Sequence, residues 1–394
     1  MTLNDAAKYT KRGVAYFILF LILYVIGENL LKGTNFIYSK AFPTPPEPPN
    51  VAFGKIVQLK IQTLPIDLTN VTYRKSLPSL DFPQFPKHIR VYKIETPIIS
   101  PEKEENFKKR ALNLGFESKA RKISDTKRIW VNNNLSKQFE AEIYFQTFNL
   151  STNTNYLEAN LKPGSSPNGY NAVSETKKML ISTTNLETLF KNADYSIKGV
   201  YIQEGLIKET LLPDREILKF VNVIPKEIAY VTYTQSKYDK KKFEESPTFY
   251  NIVGKNPLIS NINTYVGRDF TITNSSINKS VVHIANFNYY KHSQKYGIYP
   301  IIPIQDAWEI LINNRASLVY IKEDGADFFA PSENIKEITT IDINDIKINY
   351  YMDVKYLEYL QPIYVFRGKF TTLTGRKGTV YFYIPAIDRQ LNID

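Results

Sequence analysis

Cysteine is absent from all 394 residues. That excludes disulfides, thiolate metal sites and a thiol nucleophile together. Stability must then come from packing alone, which is compatible with a bacterial cell surface and dictates nothing further. Histidine is nearly as scarce, at three residues: His88, His283 and His292. No HExxH, no histidine pair at helical spacing and no carboxylate cluster accompanies them, so zinc hydrolysis has no support. His283 falls in the alternating run SVVHIANFNYY and reads as a strand residue, whereas His292 in YYKHSQKYG reads as an exposed loop. GxxxxGK[ST] and GxGxxG are missing too, which leaves nucleotides without a phosphate cradle. No cofactor and no metal is expected.

Long blocks of one charge are also lacking. Fifty basic against 39 acidic residues give a net charge of +11. The cations lie singly along the chain, with small knots only at 8–12, 108–110 and 240–242. This spread favours a solvated basic surface facing anionic lipid or wall polymer over nucleic acid.

Three short stretches carry the letters of a chemical site without its companions. SETK places Ser174 three residues before Lys177, but no SDN-like or KTG-like segment accompanies it, and Ser174 reads as a helix cap. TGRKG, with Gly375, Arg376, Lys377 and Gly378, reads as a hairpin turn rather than a phosphate loop. IDINDIKINY offers Asp342, Asn344 and Asp345 as calcium-type oxygens, yet its alternating isoleucines mark a strand.

What the chain has in quantity is apolar and aromatic. It is 43% hydrophobic and 13% aromatic, with 28 tyrosines and 23 phenylalanines, a composition that favours strands. Its length predicts two or three structural units. The first strong local signal is GVAYFILFLILYVIGENLL at 13–31, which predicts a single transmembrane helix over 13–34 with lipid contact through residues 14–31. Lys8, Lys11 and Arg12 precede it, so residues 1–12 are expected in the cytoplasm and everything after about residue 35 outside the cell. No small-x-small pattern follows, which favours an uncleaved anchor over a signal peptide. A stalk over 40–50 comes next, where five prolines in the seven positions 43–49 enforce polyproline II.

Beyond the stalk, three helical stretches alternate with short strands: SPEKEENFKKRALNLGF at 100–116, SETKKMLISTTNLETLFK at 174–191 and IPIQDAWEILINN at 302–314. The predicted fold is α+β: three repeated modules, 51–165, 166–300 and 301–394, each a helix laid on an antiparallel sheet. FGKIVQL, NLGF, DAWEIL before ASLVYI, YLQPIYVFRG and FYIPAI resemble a family of uncharacterised single-pass membrane proteins of small-genome candidate-phylum bacteria. The last module resembles the PepSY type and is similar to the YycH/YycI type of membrane-anchored regulators. The resemblance implies an extracytoplasmic binding or regulatory region, with no enzymatic residues to carry over.

The candidate binding surface combines Tyr289, Tyr290, Tyr296 and Tyr299 with Arg367 and Lys369. The tyrosines neighbour Lys291 and Lys295 and could stack on sugar or peptide. Arg367 and Lys369 end YLEYLQPIYVFRGKF (356–370), where Ile363 to Phe370 is expected to pair with GTVYFYIPAI as the closing hairpin. Ile363, Val365, Arg367 and Lys369 would then share one side, which turns from apolar to basic along its length. The expected function is non-catalytic contact with another envelope protein or a peptide. An envelope-polymer hydrolase and a structural protein that oligomerises by strand addition stand as alternatives.

Overall fold

Capping and spacing fix the helices first. In the computed structural model, Pro101–Asn113 is a helix whose N-cap Ser100 accepts from Lys103 N at 3.3 Å. Glu102 and Glu104 occupy its first turn and Phe107 and Ala111 its buried side. The next long helix begins earlier than the sequence suggests. It runs Gly169–Thr184, capped by Asn168, whose Oδ1 accepts from Asn171 N at 2.8 Å. Ser174 is therefore an exposed mid-helix residue and not a cap. Asn185, at φ 60°, ends this helix, and Glu187–Asn192 forms a separate short one. Thr154–Asn160 is a further helix that the sequence did not announce. Ile304–Ile312 lies inside the predicted 302–314.

The structure describes Tyr24 and residues 49–79, 81–98, 100–235, 243–271, 279–332 and 335–393. The transmembrane prediction over 13–34 falls outside them apart from Tyr24, as do nearly all of the stalk, 40–50, and the cytoplasmic tail, 1–12. Among the described residues no helix is long and apolar enough to cross a membrane. The α+β reading with repeated modules is corrected by the strand content and pairing of the described chain. The described chain is mostly β, with twenty strands against five α-helices.

The chain divides into two compact units, one of residues 1–48 and 228–248, the other of 49–227 and 249–394. Apart from Tyr24, the described part of the first consists of strand segments 228–235 and 243–248, tied where Thr232 Oγ1 donates to Ser246 O at 3.2 Å.

The second unit contains two large sheets. One is antiparallel throughout, from Arg121–Lys122 at one edge to Leu206–Thr210 at the other. Thr147–Thr152 pairs with Ser280–Phe287 in its middle, so segments far apart in sequence share one sheet. A row of rings, Phe107, Phe139, Phe148, Phe287 and Phe190, joins its strands to the helices above them at centroid spacings of 5.2 to 6.4 Å. The opposite face buries Leu157, Val200, Leu218 and Phe220, with Phe328 and Phe329 packed against them.

The other sheet runs from the end of Phe243–Val253 through Ile338–Tyr351, Tyr359–Thr372 and Lys377–Pro385 to Ser317–Glu323. Thr72–Lys75 pairs in parallel with Ile338–Tyr351, placing Thr72 opposite Thr340. His88–Ile94 bridges His292–Pro300 and Tyr359–Thr372. Three self-contained modules are incompatible with these pairings. Alternation fixes which side of a strand is apolar, whereas pairing partners are set by burial across the whole chain.

The expected closing hairpin is present, as Tyr359–Thr372 paired with Lys377–Pro385 through a turn at Gly375 (φ 81°). A β-bulge at Asn344 shapes its other neighbour: Ile343 pairs with Gly368, and Asp345 already with Arg367. The extra residue flips the alternation, so Ile341 and Ile343 before it and Ile346 and Ile348 after it all face the same side. That side is covered by Ile304–Ile312, whose Trp308 meets Phe366 at 6.4 Å.

Candidate functional site

The other side of this sheet changes character along its length. At one end Tyr351, Ile363, Val365 and Tyr383 are buried with Val253, Val319 and Leu59. Beyond this cluster the sheet turns polar: the cross-strand row Lys347–Val365–Tyr383 borders it, and the row Asp345–Arg367–Tyr381 follows. The passage from Ile363 and Val365, both buried, to exposed Arg367 and half-buried Lys369 reproduces the predicted gradient.

The polar end opens into a cleft of about 170 Å³. Asn222 and Ile224, at the end of Leu218–Ile224, and the loop residues Asn256, Pro257 and Ser260 form its opposite wall. That wall is pinned: buried Asn222 accepts from Ser260 N at 2.7 Å and donates to Leu258 O at 3.1 Å. Asn256 Oδ1 accepts from Leu258 N at 2.9 Å. On the sheet side, Asn251, Asn349, Arg367 and Tyr381 face the cleft, and none has a side-chain hydrogen bond among the described residues. Asn251 precedes the parallel pair Ile252 and Tyr350, which places it beside Asn349 on the neighbouring strand. Burial raises the Tyr381 pKa, against the opposing pull of the Arg367 charge, so its hydroxyl stays protonated at neutral pH.

Charge in the cleft is partly matched. Lys347 Nζ lies 3.0 Å from Asp345 Oδ2. Lys369 Nζ, on the same side of the same strand as Arg367, pairs with Asp324 Oδ1 at 2.7 Å. Arg376, in the adjoining turn, pairs with Glu323. Arg367 has Asp345 directly opposite across the ladder, yet that carboxylate turns to Lys347.

The four tyrosines do not form a surface with Arg367 and Lys369. Tyr299 is fully buried, donating to Gly54 O at 2.9 Å and accepting from Phe53 N at 3.1 Å. Tyr290 is buried against Phe145 and Tyr356, its hydroxyl on Val354 O. Tyr289 is buried beside Phe287, and burial pushes its pKa far up. Tyr296 is half-buried, with the Arg90 guanidinium 3.9 Å from its ring centroid. These rings are packing elements, not an exposed stacking platform.

No protein-family model matches the chain, and none of the curated proteins matches it. Among solved structures it is similar to an uncharacterized protein from Eubacterium rectale, at 9% identity and a TM-score of 0.38, over 77% of this chain and 84% of that one.

The remaining sequence candidates have structural places. His283 is a buried strand residue stacked on Phe270, and burial pushes its pKa down to about 4. His292 is not an exposed loop residue. It opens the strand His292–Pro300, half-buried, with Nε2 2.8 Å from Glu227 Oε2. His88 begins its own strand and lines a separate groove with Phe82 and Phe85. Lys177 lies over the Tyr195 ring at 4.6 Å, and no hydrogen bond joins it to Ser174. Asp342 stands opposite Lys369 and Asp345 opposite Arg367 in the strand ladder, and no group of three metal-ligating residues occurs among the described residues.

The sequence reading named Arg367 among its candidates but not Asn251, Asn349 or Tyr381. A signal for Asn349 was available in IDINDIKINY: once the isoleucines are assigned inward, Asp345, Lys347 and Asn349 must face the other way.

Proposed function

We propose that the protein acts by recognition, with the cleft beside Arg367 receiving one side chain of a partner protein or peptide. The observation that carries this reading is the set of four unpaired polar side chains, Asn251, Asn349, Arg367 and Tyr381, converging on one small cleft. Its volume of about 170 Å³ lies below the roughly 300 Å³ at which whole small-molecule sites begin. A pocket of that size suits a single anchoring residue at the centre of a larger contact. The sheet holds three of the four groups in ladder register, and the tethered wall opposite limits the ordering cost of binding.

The test is site-specific crosslinking. A photoreactive residue placed at Asn349 should capture a defined protein or peptide in cells. The same residue at exposed Tyr170, on the helix Gly169–Thr184, should not capture it. Equal capture from both positions, or none at Asn349, would remove the cleft from consideration.

A further inference from the structure

We propose that the group entering the cleft is a carboxylate, an Asp or Glu side chain on an extended acidic segment of the partner, gripped by Arg367. This rests on the reading of the cleft as a recognition site.

Charge matching points to it first. The neighbouring cations of the sheet are satisfied: Lys347 by Asp345, Lys369 by Asp324, Arg376 by Glu323. Among the described residues, Arg367 alone of these four is left without an anion, although Asp345 stands opposite it in the ladder. The charged groups lining the cleft are Asp345, Lys347 and Arg367, which leaves one positive charge unmatched. One singly charged carboxylate balances that excess, whereas a phosphoryl group, near −2 at neutral pH, would overshoot it.

Donor chemistry agrees. An ionised carboxylate only accepts hydrogen bonds, and it takes several. The free groups in the cleft all donate: the Arg367 guanidinium, the amides of Asn251 and Asn349, and the protonated Tyr381 hydroxyl. The guanidinium fork fits a carboxylate through two parallel bonds, and the amides and hydroxyl can take its remaining lone pairs. An ammonium group would find acceptors there too, but beside an unmatched cation. The net charge of +11 on the whole chain adds a long-range attraction for an acidic partner.

The test uses the purified full chain and three blocked six-residue peptides: alternating serine with glutamate, with glutamine, or with phosphoserine. Titration should show the glutamate peptide binding about tenfold or more tightly than the glutamine peptide. Arg367→Gln should lower that affinity by about the same factor, and Arg367→Lys by less, because lysine keeps the charge without the fork. The glutamate peptide should also protect Arg367 from phenylglyoxal, read by mass spectrometry. Equal binding of glutamate and glutamine peptides, stronger binding of the phosphoserine peptide, unchanged affinity in Arg367→Gln, or no protection of Arg367 would each overturn the carboxylate. Asn349→Trp, which fills the cleft, separates the two readings. If it abolishes binding of a glutamine or phosphoserine peptide, recognition in the cleft stands and the carboxylate falls. If no peptide binds and Asn349 captures nothing on crosslinking, both fall.

Discussion

Acidification from pH 7.5 to 4.5 is expected to cost the protein about 2.5 kcal/mol of stability through His283 alone. The side chain is buried on the strand Ser280–Phe287, stacked on Phe270 at 5.3 Å, with Nε2 3.0 Å from Arg268 O. Burial is the main reason that its pKa falls from 6.5 to about 4; nearby Lys137 lowers it further, while the Arg268 carbonyl and Asp269 oppose. In the unfolded chain the imidazole takes up its proton near pH 6.5; in the folded chain it does so only near 4. Between those values the unfolded state binds more protons. The contribution is therefore intact above pH 6.5, falls as pH drops, and levels off below about 4. At 1.36 kcal/mol per unit the full loss is about 3.4 kcal/mol, of which about 1.4 is reached at pH 5.5 and about 2.5 at pH 4.5. Urea unfolding of the native protein and His283→Gln at pH 7.5, 5.5 and 4.5 measures it. Glutamine keeps an N–H for Arg268 O and removes the titration. Carboxylates protonate in both proteins, so the difference isolates the histidine. Stabilities that fall in parallel across this range would refute the reasoning.

Three other perturbations follow from packing. Lys322→Met removes the donors that buried Lys322 Nζ gives to the carbonyls of Asp327, Phe328 and Ala330, and should cost about 3 kcal/mol by thermal unfolding, with new protease cleavage near Phe328. Gly378→Ala would push a Cβ into Lys322 O and the Phe370 ring, and should destabilise by at least about 2 kcal/mol in the same assay. Asn168→Ala removes the cap of the helix Gly169–Thr184 and should cost about 1 kcal/mol, whereas Ser174→Ala, mid-helix and exposed, should stay within about 0.5 kcal/mol of the native protein.

Local rules carried the reading as far as local physics reaches. The helix within 100–116 was legible because its start, Ser100 capping and Pro101 in the first turn, is decided locally. The closing hairpin was legible because its arms are adjacent and its turn needs Gly375. Partners at a distance were not legible. Nothing in TYRK at 72–75 names Thr340 as the residue it will face, and nothing in the short run at 56–57 names Asn392. Tyrosine misled for a related reason. Its ring and hydroxyl suit both an exposed platform and a core that satisfies the hydroxyl on a backbone carbonyl. Tyr290 and Tyr299 take the second course.

The bulge at Asn344 shows why the site was half visible. Read as unbroken alternation, Ile341 and Ile343 would face opposite to Ile346 and Ile348, and one pair would be left in solvent. One extra residue keeps all four isoleucines inward, and it places Asp345, Lys347 and Asn349 together on the other side. On that side the neighbouring strand presents Ile363 and Val365 to the core and then Arg367 to the cleft. The part of the strand that packs in the core and the part that lines the cleft are thus separated by two residues on one face. A binding group placed there is held by the sheet's own register, while its removal leaves the apolar cluster around Ile363 untouched.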